Sequence, residues 1–241
     1  MNERKNWPSI VISTLIIGSL LISPMRHTVY SQSAEEQIWA MAQQLDQFIL
    51  QQADQAVFEL LRKATAGEPI SPSYYQSRRA KILAAIDEME RVGFCQAAIE
   101  AVPELAQKYD PSLPQELIDK LRAAGVPQVE IDQILQIPES EILQGAQTIS
   151  QRGCEALLRQ LIEQLDREIV YNMTKPRILR VGFTNVNPSC GTSILKAVGT
   201  WIAGVALCAS AATLAGAIPC VGTVLAATGE TIDAFEECSK S

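Results

Sequence analysis

The feature that most constrains this chain is a run of 33 residues, Ala197 to Gly229, in which no Asp, Glu, Lys, Arg or His occurs. Water does not tolerate exposure of that much apolar surface, so the run must lie inside protein, inside a membrane or against a partner. Ten of its residues are Ala and five are Gly, against ten bulky apolar residues. Bulky aliphatics favour insertion at a helix centre by only about 0.3 to 0.6 kcal/mol each, which makes the run a weak lipid anchor. Small residues recur four apart at Gly199/Ala203, Gly204/Cys208, Ala212/Gly216 and Gly222/Ala226. That spacing lets two helix backbones approach closely and favours helix on helix over helix in lipid.

Gly216 reads as the end of one helix and Pro219 as the first turn of the next, so the run is expected to fold back near residues 215–219 as a helical hairpin. The first leg, Ser193 to Ala215, is long enough to cross a bilayer. The second, Pro219 to Ile232, falls short of the ~20 residues a span requires. Cysteine spacing agrees with the hairpin. The intervals Cys190–Cys208, Cys208–Cys220 and Cys220–Cys238 are 18, 12 and 18 residues, so one fold-back brings Cys190 to Cys238 and Cys208 to Cys220. Four cysteines allow three connectivities, and unpaired thiols acting as small hydrophobes are the plain alternative.

The N-terminal stretch reads as an export signal. Arg4 and Lys5 precede an apolar core from Ile10 to Ile22, and small residues at Val29/Ser31 or Ser31/Ser33 suit a cleavage site, the expected cuts following Ser31 or Ser33. An uncleaved N-terminal anchor is the alternative. Export leads to an oxidising extracellular, periplasmic or envelope compartment, which fits six cysteines, all beyond residue 33. Loss of residues 1–31 leaves 17 basic against 26 acidic residues and removes His27, the one histidine. So acidic a chain has no field for nucleic acid.

Without histidine, Ser–His–Asp and Cys–His nucleophiles and His-ligated zinc are excluded from the mature chain. No glycine loop for phosphate is present, and carboxylate pairs such as Glu35/Glu36 and Glu236/Glu237 read as solvated helix ends. The expectation is a protein with no enzymatic activity, no cofactor and no metal.

Residues 34–174 carry helical periodicity throughout. Ala34 to Lys63 reads as one long amphipathic helix ending at Gly67, and Ser71–Pro72 opens a second toward Gly93–Cys95. Pro103 is expected to interrupt the stretch after Cys95. Short helices start at Pro114 and Pro127, and a long one from Pro138 carries Ile142, Ile149, Leu157, Leu161 and Ile169 on one stripe. The pair 117–124 and 129–135 has no basic recognition helix and reads as packing. The fold class is therefore all-α: a helical bundle over 34–174, followed by a cysteine-containing, small-residue-rich hairpin over 190–241. Cys95 and Cys154 are expected to bridge the bundle, closing a loop of about 60 residues and contributing roughly 4 kcal/mol in the chain-entropy account.

Residues 175–189 read as a linker, with Lys175, Arg177, Arg180 and Gly182 as a candidate processing segment and a short β-like run over 178–183, the alternative being an ordinary interdomain connection with a few solvated arginines. Signal, helical domain, then an apolar peptide punctuated by Cys190, Cys208, Cys220 and Cys238 resembles the precursors of halocin-type and other disulfide-bonded bacteriocins. The resemblance covers layout and the composition of the last 50 or so residues; the close cysteine pairs of halocins are missing, and no functional residue carries across. It implies that residues 34–174 restrain a toxin within 190–241. Two functions compete: a membrane-active peptide held inside its precursor, with the helical domain as intramolecular partner, or an envelope protein whose stretch Ala197–Gly229 meets a membrane or a partner protein.

Overall fold

Local capping chemistry sets most helix boundaries in the computed structural model, which describes residues 33–174, 190–213 and 218–239. Ser33 accepts from the Glu36 amide at 3.3 Å and opens α1 (Ala34–Ala42). Asp46 accepts from the Phe48 and Ile49 amides and opens α2 (Gln47–Thr65). Ser71, followed by Pro72, opens α3 (Pro72–Val92), in line with the preference for a hydroxyl at the cap and proline in the first turn. Gly93, at φ 73°, ends α3 and begins α4 (Phe94–Leu105). Pro114, Pro127 and Pro138 each stand one residue ahead of a helix: α5 (Gln115–Ala123), α6 (Gln128–Ile134) and α7 (Glu139–Arg152). Then come α8 (Cys154–Thr174), α9 (Cys190–Ser210) and α10 (Ile218–Ser239). Among the described residues every regular element is helical, as the sequence leads one to expect.

Five boundaries differ from the sequence reading, one of them the first leg of the hairpin, which runs Cys190–Ser210 and not Ser193 to Ala215. The expected single helix over 34–63 breaks at residues 43–46, because Asp46 caps α2 and its own amide donates to Glu88 Oε1 at 2.8 Å, while Arg91 Nη2 reaches the Gln44 carbonyl. The α3 pair Glu88/Arg91 thus satisfies the backbone of the elbow. Pro103 does not interrupt a helix; it lies exposed in the last turn of α4, which runs on to the fully buried Leu105. The long helix after Pro138 breaks at Gly153, which has φ 81°, a conformation that costs a residue with Cβ far more than glycine. Finally, the second leg of the hairpin continues to Ser239, giving a 22-residue helix rather than one ending near Ile232.

The described residues form one compact unit. At its centre lies α9, packed against α2, α8 and α10, with α1 at one end. Ile194, Val198, Ile202 and Val205 are fully buried and Trp201 is 1% exposed. A helix that is apolar around its whole circumference belongs in a core. Each such aliphatic stabilises the fold by about 1.5–3 kcal/mol relative to exposure. Helix α2, which packs against α9, carries Leu50, Ala53, Val57, Leu60 and Leu61, all completely buried, and sets Val57 and Phe58 beside Gly199 of α9.

Candidate functional site

The hairpin α9–α10 and its seat are the candidate site, built from three kinds of contact. Disulfides come first. Cys190 is bonded to Cys238 and Cys208 to Cys220, with Cα atoms 4.8 and 5.1 Å apart, so the legs are stapled at both ends. Cys95 is bonded to Cys154, joining α4 to the start of α8. All six sulfurs are therefore paired, and no bridge links residues 34–174 to residues 190–241.

Hydrogen bonds inside the hairpin come second. Thr200, Thr223, Thr228 and Thr231 are buried, and each hydroxyl donates to the carbonyl four residues earlier, at 3.0, 2.8, 2.7 and 2.7 Å. Such back-bonding satisfies a hydroxyl without any outside partner. Trp201 Nε1 donates to Thr231 Oγ1 at 2.9 Å, across the two legs. Ser193 donates to Glu237, close to the Cys190–Cys238 staple. The legs approach closely at Gly204, where a Cβ would lie 2.7 Å from Thr223 Cγ2.

Contacts with the seat come third. The last turn of α9 leaves carbonyls with no helical partner, a cost every helix end must meet. Trp39 Nε1 donates to the Ala211 carbonyl at 3.0 Å, Gln43 Nε2 to those of Cys208 and Ala209, and Gln47 Nε2 to Ala209 at 2.6 Å. Trp39, Gln43 and Gln47 stand four apart in sequence, so the α1–α2 elbow presents all three to one helix end. On α10, the loop before α5 sits in the notch at Gly222, with Ser112 N donating to the Gly222 carbonyl at 3.2 Å, and Ile137 fills the notch at Gly229. The α9 Lys196 ammonium pairs with Glu130 of α6 at 2.7 Å. Burial disfavours its charge, but Glu230 and Glu130 outweigh that and hold the amine above its ordinary value.

Of the two expected cleavage positions, Ser33 is the cap of α1, so a cut after Ser33 would remove that cap and a cut after Ser31 would not. Ser31, the expected signal segment, the expected processing residues Lys175, Arg177, Arg180 and Gly182 with the expected β-like run, and Gly216 lie outside the described residues. Glu35 pairs with Lys108 at 3.3 Å, and α5 and α6 bury Leu117, Leu121 and Ile131 in the core. The capping role of Gln43 and Gln47 escaped the sequence reading; a glutamine repeat at helical spacing, near a helix end with no capping residue of its own, was the available signal.

A second feature is an open cleft of about 440 Å³ beside α2 and α5, lined by Asp54, Phe58, Arg62 and Lys120 among others. Lys120 Nζ lies 2.7 Å from Asp54 and 3.1 Å from Glu116. Burial works against its charge, yet the two carboxylates keep its amine above the ordinary value, so it stays a cation and offers no free nucleophile. Among the described residues no three of His, Cys, Asp and Glu converge as metal ligands would. In comparison with known proteins, the chain matches no family model, no curated protein and no solved structure.

Proposed function

We propose that this is an exported, non-enzymatic protein whose residues 34–174 hold the stapled hairpin 190–241 as a detachable, membrane-active element. The observation that carries the reading is the partition of the disulfides. Cys95–Cys154 lies wholly on one side of residues 175–189 and the other two bridges wholly on the other. A single cut in that segment leaves two pieces joined by no covalent bond. Three disulfides also suit an oxidising compartment.

The chemistry of the hairpin supports transfer to lipid. Its buried threonines and Trp201 find their partners within the hairpin, so leaving the protein orphans none of them, and orphaned polar groups are what hydrocarbon penalises most. An 18-residue stretch of α9 has a mean hydropathy of 1.5, which makes the helix long and apolar enough to span a bilayer, while 78% of that stretch is buried in the folded chain. A permanent hook would need that surface turned outward. Cutting alone does not free the hairpin, because the apolar interface with α2 survives it; a membrane must compete for the same surface.

The test is a chain carrying a specific protease sequence in place of residues 178–184, cut after folding and kept oxidised. The two pieces are expected to co-elute in buffer. On adding vesicles of phosphatidylcholine and phosphatidylglycerol, the hairpin piece is expected to float with lipid while the helical piece stays behind. The reading is wrong if the hairpin piece never leaves its partner for vesicles, or if the uncut chain partitions equally well.

A further inference from the structure

Glu230 is the one charged residue of α10 buried within the seat; it is 7% exposed, and its Oε2 has no hydrogen-bond partner. It follows Gly229, whose notch Ile137 fills from the loop between α6 and α7. The charged groups around it can be named element by element. From α9 comes Lys196, whose ammonium is already engaged by Glu130 of α6. From α10 itself comes Asp233, with Glu236 and Glu237 further along; from α7 come Glu141, near Asp233, and Arg152, whose guanidinium lies 4.4 Å from the Phe235 ring. The α4 carboxylates are exposed and held elsewhere, Glu100 by Gln96 and Glu104 by Lys108. Among the described residues one cation therefore serves two carboxylates, and hydrogen-bonds to Glu130.

We infer that Glu230 is a pH-sensitive latch for α10, which sits firmly on α6 and α7 while its carboxyl is protonated and loosens when that proton leaves. A neutral carboxyl in this position carries no uncompensated charge. An ionised one is desolvated, shares its cation and faces the carboxylates of Glu130 and Asp233. Burial, opposed by Lys196, pushes the Glu230 carboxyl up to about 7 from the usual 4.5. The direction follows from proton linkage. Between these two values the seated form holds a proton that the opened form has lost, so seating weakens as pH rises, and the full loss is present above about pH 7. The latch is a property of the fold and goes beyond the proposed function: it holds whether or not the hairpin ever leaves.

Hydrogen exchange of the intact, oxidised chain tests it, with wild type and Glu230→Gln compared at the same pH so that intrinsic exchange cancels. At about pH 5 the α10 amides of the two proteins should exchange alike. At about pH 8 those of wild type should exchange tens of fold faster, with α3 and α8 amides little changed. Asp233→Asn, at an exposed position, should give a smaller difference. Equal α10 exchange at both pH values overturns the latch, and so does a difference spread evenly over every helix. Should Glu230→Gln not fold, ¹³C carboxyl titration of wild type decides: a glutamate resonance with a midpoint near 7 supports the latch, and none above the ordinary carboxylate range overturns it.

Discussion

At the scale of single residues, the glycines of the hairpin do different work, and the difference is measurable. Gly222 lies under Ser112, where a Cβ would overlap the hydroxyl and come within 3.0 Å of the Ser112 Cβ and 3.1 Å of its backbone nitrogen. Backbone cannot step aside as a side chain does, so Gly222→Ala is expected to cost about 1–3 kcal/mol, as overpacking does elsewhere. Gly199 faces only side-chain atoms of Val57 and Phe58, 3.5 Å or more away. Alanine there meets ordinary van der Waals contact and is favoured by helix propensity of about 1 kcal/mol, so Gly199→Ala should leave stability unchanged or raised. Urea unfolding of both variants checks the pair, and equal losses would refute the assignment of Gly222 as the closer contact. The four-residue spacing seen in the sequence did pick out close approaches, at Gly204 and Gly222. It could not say that Gly204 serves the partner leg while Gly222 serves a loop some 110 positions earlier in the chain, because spacing specifies a face and not what covers it.

At the scale of elements, the caps were legible and the breaks were not. Ser71–Pro72, Pro114, Pro127 and Pro138 announced their helices through local chemistry alone, and the hairpin cysteines announced their pairing through spacing. The elbow at residues 43–46 is different. The sequence Gln43-Gln44-Leu45-Asp46 carries no glycine or proline, and helical periodicity runs straight across it; the break depends on Glu88 and Arg91, more than 40 residues away. The Arg91 guanidinium bonds to the Glu88 carboxylate, and with burial opposing it holds that carboxyl below its usual value. Gly153 hid in the same way, since an isolated glycine in a helical stripe is as often tolerated as it is a stop. The elbow has a consequence for the site, because it turns Gln43 and Gln47 toward the end of α9. Asp46→Ala removes a cap bonded to two amides and is expected to cost about 1 kcal/mol. If the elbow positions the glutamines, the same variant should also raise amide exchange at residues 208–213, and a loss of stability without that local change would separate the two roles.

At the scale of the whole molecule, the bundle and the hairpin are not two self-sufficient cores, although sequence composition divides them sharply at residues 175–189. The apolar faces of α2 and α8 meet α9, and the core runs continuously from Leu50 and Leu61 through Val198 and Trp201 to Val224 and Leu225. The division visible in composition reflects what each part offers to the interface: amphipathic helices present one stripe, while the hairpin is apolar on nearly all sides. It follows that residues 33–174 alone cannot close. Removing the hairpin bares the α2 surface around Val57 and Phe58 that Gly199 of α9 covers, and an apolar strip of that kind drives association or loosens the packing. A chain ending at Thr174, with Cys95–Cys154 intact, is expected to keep most of its far-ultraviolet helical signal, to bind the dye ANS and to melt without a sharp transition. Adding the oxidised hairpin piece back should quench the dye and restore a cooperative melt. A truncated chain that melts sharply and leaves ANS dark would mean that the bundle is complete by itself and that α9 merely rests on it. In that case the interface would be weak enough for a cut alone to release the hairpin, and the requirement for a competing membrane would fall with it.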